Sequence, residues 1–300
     1  IQVGHRENAA GYLSAEPPCE LDIEAQPTTR DCVMGLRVST LNPDRPRAGW
    51  HFEPLPSCKA HARPGYQLRP TMKTKPATDH RSNNVSEKKV VEFPGEDIDV
   101  RWDGRLCIHI GECGNAEGPL FEAGRDPWCI PEQAGKSEVR EIVARCPSGA
   151  LTFRDRDGTP ESPAKENTAM VVYKGPIYFS GELDIAGAPQ DMPGVRFRAA
   201  LCRCGQSANK PFCDNSHLNA DFEDFGSVGE RGPGLEAKGG RLSVKPLPNG
   251  PLMVEGNLTI HAGSGRTAWR GTRAALCRCG ASGNKPFCDG SHTKAGFSSD

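Results

Sequence analysis

The sequence predicts an α+β fold built from small, metal-stabilised modules rather than around one large hydrophobic core. Two observations indicate small modules: only 36% of the 300 residues are apolar, and Gly (34) and Pro (26) together make up one fifth of the chain. A third observation, the 13 cysteines, indicates metal stabilisation. In a chain without a recognisable export signal, cysteines clustered near histidines are more often metal ligands than disulfide partners.

Charge and hydropathy argue against several classes of function. The formal net charge is −1, which gives no electrostatic basis for binding nucleic acid or an anionic membrane. No apolar run approaches the roughly 18–20 residues of a membrane helix, and the N-terminus has no signal-peptide core. The sequence also contains no Gly-rich nucleotide fingerprint, no nucleophile elbow and no paired-carboxylate site. We therefore expect a cytoplasmic protein that is not an enzyme and binds neither nucleic acid nor membranes.

Residues 1–85 differ from the rest of the chain. Pro and Arg recur there without a sustained helical or strand period, so we predict a disordered segment that cannot bury enough apolar surface to offset its ordering entropy. Because the chain begins at Ile1 and an ordinary polar start follows Met72, a further hypothesis is that residues 1–71 are an untranslated extension. The cysteines of this segment lack the spacing of metal ligands and are assigned to no site: Cys19, Cys32 and Cys58.

The first compact unit is predicted over residues 86–157. Alternating apolar and polar residues over 98–102 predict a strand that ends in a turn at Asp103. Helical spacing over 137–144 predicts a helix with Ser137 as its N-cap. The apolar side of this helix carries Val139, Ile142 and Val143. Residues 150–153 read as a closing strand, and a linker is predicted to follow over residues 158–167.

The last part of the chain is an internal repeat, predicted to comprise residues 168–228 (copy one) and 229–300 (copy two). Equivalent positions lie 75 residues apart, and residues 175–185 align with residues 250–260 without a gap. Each copy contains β-type runs followed by a cysteine-rich segment. The sequence therefore predicts two copies of one structural unit.

Each copy carries three cysteines and one histidine in the pattern C-x-C-x8-C-x3-H. The candidate ligands are Cys202, Cys204, Cys213 and His217 in copy one, and Cys277, Cys279, Cys288 and His292 in copy two. A Cys and a His four positions apart can lie on one face of a helical turn, and Asp214 or Asp289 is placed to cap the free N–H groups of that turn. Ligand type alone allows either a structural zinc ion or an iron–sulfur cluster.

Both cysteine segments resemble the CDGSH iron–sulfur domain, whose pattern is C-x-C-x2-[S/T]-x3-P-x-C-D-G-[S/A/T]-H. Copy two matches every position, whereas copy one has Asn215 where the family has Gly. Asn tolerates the left-handed backbone region better than most residues, so we expect the copy-one site to be retained. The resemblance implies a [2Fe–2S] cluster in each copy, with two cysteines on one iron and a cysteine and the histidine on the other. It also implies a monomer whose two copies form an intramolecular pseudo-dimer.

The histidine ligand has a chemical consequence. A neutral imidazole in place of a thiolate makes a cluster less negative and easier to reduce. Its second nitrogen can titrate near physiological pH, which would couple redox change to proton uptake. Protonation of the ligating nitrogen would release the ligand, so we expect cluster loss to accelerate in acid.

The first unit contains a second kind of cysteine arrangement. Cys107 and Cys113 form a pair, and the distant Cys146 precedes a proline, which is typical of ferredoxins. Residues 95–100, 107–113, 120–121, 127–128 and 146–151 resemble the divergent single-cluster ferredoxin family. The resemblance implies a ferredoxin-like unit with these three cysteines as ligands, which suits [3Fe–4S]. A [4Fe–4S] cluster needs a fourth ligand, Cys129 or His109, and a zinc site remains an alternative.

These motifs together predict a protein that transfers electrons or iron–sulfur clusters through two [2Fe–2S] clusters and one [3Fe–4S] or [4Fe–4S] cluster. The expected partner is a redox protein or an apo iron–sulfur acceptor. Two other functions fit the same residues. One is a redox or iron sensor that binds a partner according to its cluster state, and the other is a zinc-stabilised interaction module.

Overall fold

The computed structural model describes residues 90–299, and this part of the chain is mostly β-sheet. The strands β1 to β10 are Val90–Phe93, Ile98–Asp103, Leu151–Asp155, Thr168–Val171, Ile177–Ser180, Glu182–Ile185, Arg198–Leu201, Arg241–Pro246, Leu252–His261 and Thr267–Leu276. The helices are α1 (Lys136–Ala144), α2 (Ser291–Lys294) and the 3-10 turns Pro131–Gln133, Pro193–Arg196 and Ser216–Asn219. The predicted α+β class therefore describes the fold only in part, because the helices are few and short.

The first unit is a three-stranded antiparallel sheet in the order β1-β2-β3, with α1 packed against it. The strand predicted over 98–102 is confirmed as β2, and the closing strand as β3. The predicted helix is also confirmed, and its apolar residues Val139, Ile142 and Val143 are buried. The prediction of Ser137 as N-cap is wrong, since α1 begins at Lys136 and Gly135 occupies that position.

Trp128 packs against three other aromatic rings in the first unit. Its ring lies 5.2 Å from the ring centroids of both Phe93 and Phe121, and 6.0 Å from that of Trp102. Phe93 and Trp102 belong to β1 and β2, whereas Phe121 and Trp128 belong to the long connection that precedes α1. Aromatic packing thus fixes that connection, which contains several candidate ligands, against the sheet.

The repeat forms a second sheet, which contains seven strands within the described residues. Its order is β6-β8-β9-β4-β5-β7, and β10 pairs with the remaining edge of β9. The repeat sequence is used differently in the two copies. Residues equivalent to the single ten-residue strand β9 form two four-residue strands, β5 and β6, in copy one.

The strand pairing repeats with the 75-residue offset of the sequence. Antiparallel pairs join β4 to β5 and β8 to β9, each within one copy. Parallel pairs join the copies: Thr168 lies opposite Thr259, and Ser243 lies opposite Asp184. Each copy therefore adds its first strand to a strand of the other copy, so the two copies share one sheet.

The segment predicted as a linker, residues 158–167, carries two buried polar side chains. Glu161 forms an ion pair with Arg198 of β7. The Asn167 side chain donates to the carbonyl oxygens of Gly240 and Asn257, at 2.8 and 2.9 Å. Because Gly240 and Asn257 belong to copy two, this segment fastens both copies together.

Two sequence-based expectations concern the ends and the environment of the chain. The predictions for residues 1–85, including their three cysteines and the proposed start at Met72, lie outside the described residues. None of the helices in residues 90–299 is long and apolar enough to cross a membrane.

Candidate metal centres

The two cysteines of each C-x-C segment lie side by side. Cys202 follows β7 directly and Cys277 follows β10, so a strand end positions each segment. The Sγ–Sγ distance is 3.7 Å between Cys202 and Cys204, and 3.6 Å between Cys277 and Cys279. Two thiolates bound about 2.3 Å from one tetrahedral metal lie about 3.8 Å apart, so each pair suits a single metal atom. A backbone N–H two residues later donates to the second sulfur, at 3.5 and 3.4 Å.

The third cysteine and the histidine form a second pair in each copy. Sγ of Cys213 lies 3.5 Å from Nδ1 of His217, and Sγ of Cys288 lies 3.3 Å from Nδ1 of His292. The predicted shared helical face is wrong, because the helical turn begins only three residues after the cysteine. A left-handed residue brings the pair together instead. In copy one this residue is Asn215, with φ 71°, as its tolerance of that region predicts.

Asp214 and Asp289 hold the chain between the two ligands of this second pair. One carboxylate oxygen accepts a backbone N–H two residues later, at 3.0 Å in each copy. The other oxygen accepts a backbone N–H six residues earlier, at 2.8 Å in each copy. Each aspartate thus accepts the first N–H of the helical turn, as predicted, but from one residue before the N-cap, which is Asn215 or Gly290. The second bond closes the ligand loop. Hydrogen bonds from Ser291, first its side chain and then its backbone N–H, lower the pKa of Asp289.

The arginine between the first two ligands has a structural role that the sequence analysis missed. Nε of Arg203 donates to the Gly175 carbonyl at 2.9 Å, and Nε of Arg278 donates to the Gly250 carbonyl at 2.7 Å. Arg203 also forms a buried ion pair with Asp224. Each arginine therefore ties its C-x-C segment to the hairpin turn of its own copy.

An aromatic ring completes each arginine anchor. The guanidinium carbon of Arg203 lies 5.3 Å from the centroid of the Phe222 ring, and that of Arg278 lies 5.3 Å from the Phe297 ring. Both the arginines and the phenylalanines are 75 residues apart. Identical residues at the repeat offset, outside the ligands themselves, were the signal that could have identified this anchor.

The two copies meet at their second cysteines. The backbones of Cys204 and Cys279 form an isolated antiparallel bridge. A Cβ on Gly205 would lie 2.8 Å from the Cys279 carbonyl oxygen, and one on Gly280 would lie 2.9 Å from that of Cys204. Only glycine allows this approach, so the two candidate sites are adjacent through the backbone.

The environments of the two sites differ. Cys213 is 4% exposed and packs in a cluster with Ile108 of the first unit and Tyr178 of β5, whereas Cys288 is partly exposed. Burial, followed by the charges of Cys213 and Cys146, raises the pKa of Tyr178 to about 12. Tyr178 therefore lies within electrostatic range of both the copy-one site and the upstream cysteines.

The ligands of each copy fit a two-iron cluster better than one zinc ion. A zinc ion needs its four ligands within about 2.0–2.3 Å of one point. Within residues 90–299, no three Cys, His, Asp or Glu side chains converge on such a point. The ligands instead form a Cys–Cys pair and a Cys–His pair, as two separate irons require.

The three upstream cysteines share one cavity. Cys107, Cys113 and Cys146 line a cavity of about 180 Å³, together with His109. Burial raises the pKa of Cys113, and the charges of Cys107 and Cys146 raise it further. Three mutually repelling thiolates around one cavity fit a cationic iron cluster, which would neutralise them.

The structure distinguishes the two candidates for a fourth upstream ligand. Cys129 is 1% exposed, and burial raises the pKa of its thiol to about 12. It is not among the residues that line the cavity. His109 lines the cavity, and its Nδ1 lies 3.8 Å from Sγ of Cys107. This placement favours His109, and the ligand assignment stays a prediction.

We expect His109→Ala to change the upstream cluster and Cys129→Ala to leave it unchanged. Loss of a cavity-lining imidazole would leave three thiolates, which favour [3Fe–4S] over [4Fe–4S]. The two variants are compared by iron content and by electron paramagnetic resonance of the oxidised protein. A [3Fe–4S] signal that rises with Cys129→Ala and not with His109→Ala would reverse the assignment.

Comparison with known proteins identifies the modules. A family model described as "Divergent 4Fe-4S mono-cluster" matches residues 93–156. A second, described as "Iron-binding zinc finger CDGSH type", matches residues 174–218 and 249–293. The chain belongs to the divergent 4Fe-4S mono-cluster family and carries two CDGSH modules. Both predicted resemblances are confirmed, and the 4Fe-4S mono-cluster domain and CDGSH modules make the chain an iron–sulfur binding protein.

Two curated relatives match 64 residues of the chain, which is also the length of the segment that the mono-cluster family model matches. They are the "Uncharacterized protein YjdI" of Escherichia coli K12 and of Escherichia coli O157:H7. Each is 38% identical over 64 residues, which is 21% of this chain and 84% of the relative. No solved structure gives a significant match to the chain.

Proposed function

We propose that the chain is an electron-transfer protein with two [2Fe–2S] clusters in the CDGSH modules and one [4Fe–4S] or [3Fe–4S] cluster in the mono-cluster domain. Bound clusters of these kinds accept and release single electrons. The observation that carries the proposal is the arrangement of each CDGSH ligand set as two pairs. A Cys–Cys pair and a Cys–His pair suit two irons bridged by sulfide and do not suit one tetrahedral zinc ion.

The ligand surroundings also favour a redox role. Backbone N–H groups donate to Cys204, Cys213, Cys279 and Cys288, at 3.4–3.5 Å. Such donors stabilise the negative charge of a thiolate and of a reduced cluster, and they are a means by which a protein sets a reduction potential. No catalytic group is part of the proposal, and the partner is a separate redox protein in a reducing compartment such as the cytoplasm.

The pseudo-dimer is part of the same proposal. The parallel pairing of β4 with β9 and of β6 with β8 follows the repeat offset, which supports two copies related by an internal pseudo-twofold axis. The contact of Cys204 with Cys279 would lie on such an axis, because these residues are themselves equivalent. One chain would then supply both halves of an assembly, and we propose a monomer.

A second function, cluster donation to an apo acceptor, is favoured by the exposure of copy two. Cys279 and Cys288 are partly exposed, whereas their copy-one equivalents Cys204 and Cys213 are buried. A cluster that an acceptor thiol can reach is easier to release. Mixing the loaded protein with an apo-ferredoxin tests this function, and transfer from copy two but not from copy one is the expected result.

The electron-transfer proposal is tested by iron and sulfide analysis with optical and electron paramagnetic resonance spectra of the oxidised and reduced protein. We expect visible charge-transfer bands and reduced signals from two [2Fe–2S] clusters. Cys213→Ala and Cys288→Ala should each remove the iron and signal of one cluster. Cys129→Ala is the matched control, because it removes a cysteine that does not line the upstream cavity and should remove no iron.

The zinc alternative gives a different outcome. A colourless protein that contains zinc at two ions per chain, with no visible bands, would contradict the proposal. So would a redox-inactive protein whose spectrum does not change on adding dithionite.

A further inference from the structure

The upstream mono-cluster domain is fastened to copy one by a buried arginine. Arg198, at the start of β7, donates from Nε to the carbonyl of Cys146 at 2.8 Å and from Nη2 to that of Leu151 at 2.9 Å. The same guanidinium forms an ion pair with Glu161, and both side chains are buried. Strand β7 ends directly before Cys202, so about 13 Å of strand, at about 3.3 Å per residue, separates Arg198, which binds the Cys146 carbonyl, from the copy-one ligand Cys202.

Two asparagines of copy one hold the other upstream ligand loop. Asn209 donates from Nδ2 to the carbonyl of Arg105 at 2.8 Å, and Asn215 donates to the carbonyl of Ile108 at 2.7 Å. These two carbonyls flank Cys107. The residue that departs from the CDGSH pattern thus has a function, since its amide reaches a group that glycine could not contact.

The space between the two sites is filled with protein. Ile108, Ala200 and Cys213 form a buried cluster, and Tyr178 packs against it. Ile108 is 6% exposed and Ala200 3% exposed. A close-packed path between two redox sites favours electron exchange between them, because it holds their separation constant.

The contacts of Arg198, Asn209 and Asn215 with the mono-cluster domain are called the junction here. Within residues 90–299, the equivalent residues of copy two do not form such contacts. Arg273, the equivalent of Arg198, is 72% exposed at its side chain and forms an ion pair with Glu255, at 3.5 Å. Asn284, the equivalent of Asn209, donates to Glu230 at 2.7 Å. Gly290 stands in place of Asn215. The same repeat unit is therefore used in copy one to dock the mono-cluster domain and in copy two to face outward.

We propose that Arg198, Asn209 and Asn215 lock the upstream ligand loops onto copy one, so that the mono-cluster site exchanges electrons with copy one and reaches copy two only through copy one. This inference rests on the proposed electron-transfer function and adds the order in which electrons pass between the three sites. In each exchange one electron leaves the upstream cluster and enters the copy-one cluster, or the reverse. No bond forms or breaks, and an external one-electron donor, dithionite in the test, supplies the electron.

The test is electron paramagnetic resonance of the reduced full-length chain. A paramagnetic upstream cluster enhances the relaxation of its nearest neighbour, so we expect the copy-one signal to saturate at higher microwave power than the copy-two signal. His217→Cys and His292→Cys assign the signals, because each should move the g values of its own cluster. In the Asn209→Ala/Asn215→Gly double variant, the difference in saturating microwave power between the copy-one and copy-two signals should become smaller.

A second readout follows the junction without any redox measurement. Amide hydrogen exchange of residues 105–113 should accelerate on the order of tenfold in the double variant, which loses two hydrogen bonds. Glycine at position 215 keeps the left-handed backbone, so the ligand loop itself is preserved. Asn284→Ala is the matched control: it removes the equivalent amide of copy two and should leave this exchange unchanged.

Two failures are distinguishable. If both [2Fe–2S] signals are present but saturate at the same power in the wild-type chain, the junction proposal is overturned and the proposed function stands. Equal exchange rates in the wild type and the double variant also overturn the junction. If no cluster signal is found at all, the proposed electron-transfer function is wrong, and so is the proposed order of electron transfer between the sites.

Discussion

Replacing His292 by cysteine lowers the reduction potential of the copy-two cluster by on the order of 100–200 mV, and replacing His217 does the same for copy one. The expected shift follows from charge, because a thiolate adds a negative charge where Nδ1 of the imidazole now faces a cysteine sulfur at 3.3 or 3.5 Å. The measurement is a redox titration of each variant followed by optical and electron paramagnetic resonance spectra.

The chain offers a matched control for this substitution. His261 lies in β9, where its Nδ1 is 3.4 Å from the hydroxyl of Thr267 and not near any candidate ligand. His261→Cys should leave both potentials unchanged. An unchanged potential in His217→Cys or His292→Cys would remove the imidazole from the ligand set.

Replacing Arg203 by methionine destabilises the chain by about 3–5 kcal/mol, because it leaves Asp224 as a buried charge without its partner. Both side chains are at most 7% exposed, so water cannot replace the lost contact. The change also removes the hydrogen bond to the Gly175 carbonyl. Urea unfolding followed by tryptophan fluorescence measures the loss, and the copy-one cluster should be released at lower urea than the copy-two cluster.

Arg278→Met provides the comparison within the same molecule. Arg278 binds the carbonyls of Leu247 and Gly250 and forms no ion pair within residues 90–299. Ser299 occupies the position equivalent to Asp224 and bonds with Asn249 instead. We expect a loss of about 1–3 kcal/mol, the effect of unsatisfied buried acceptors. Equal losses in the two variants would contradict a dominant role for the buried ion pair.

The candidate ligands were predictable from the sequence because they recur. A four-ligand pattern that appears twice at one offset, with Asp214 and Asp289 in matching places, predicts both candidate sites without knowledge of the fold. The tolerance of Asn215 for a left-handed conformation also followed from its side chain alone. Ligand spacing and backbone preference depend on residues that are close in sequence, so they can be read from the sequence directly.

The arrangement of the modules could not be predicted in the same way. Nothing in the sequence of β4 indicates that it pairs with β9 of the other copy, because the alternation of apolar residues does not specify a partner strand. The roles of Arg198 and Arg273 illustrate the same limit. The two residues occupy equivalent positions, yet one is buried against the mono-cluster domain and the other is exposed.

The contact between Asn215 and the Ile108 carbonyl gives one position of the repeat a different role in each copy. In copy one the amide of Asn215 bonds with the mono-cluster domain, whereas in copy two Gly290 supplies only the left-handed backbone, with φ 85°. A departure from a family signature in one half of a tandem repeat can therefore mark the surface on which a neighbouring domain docks.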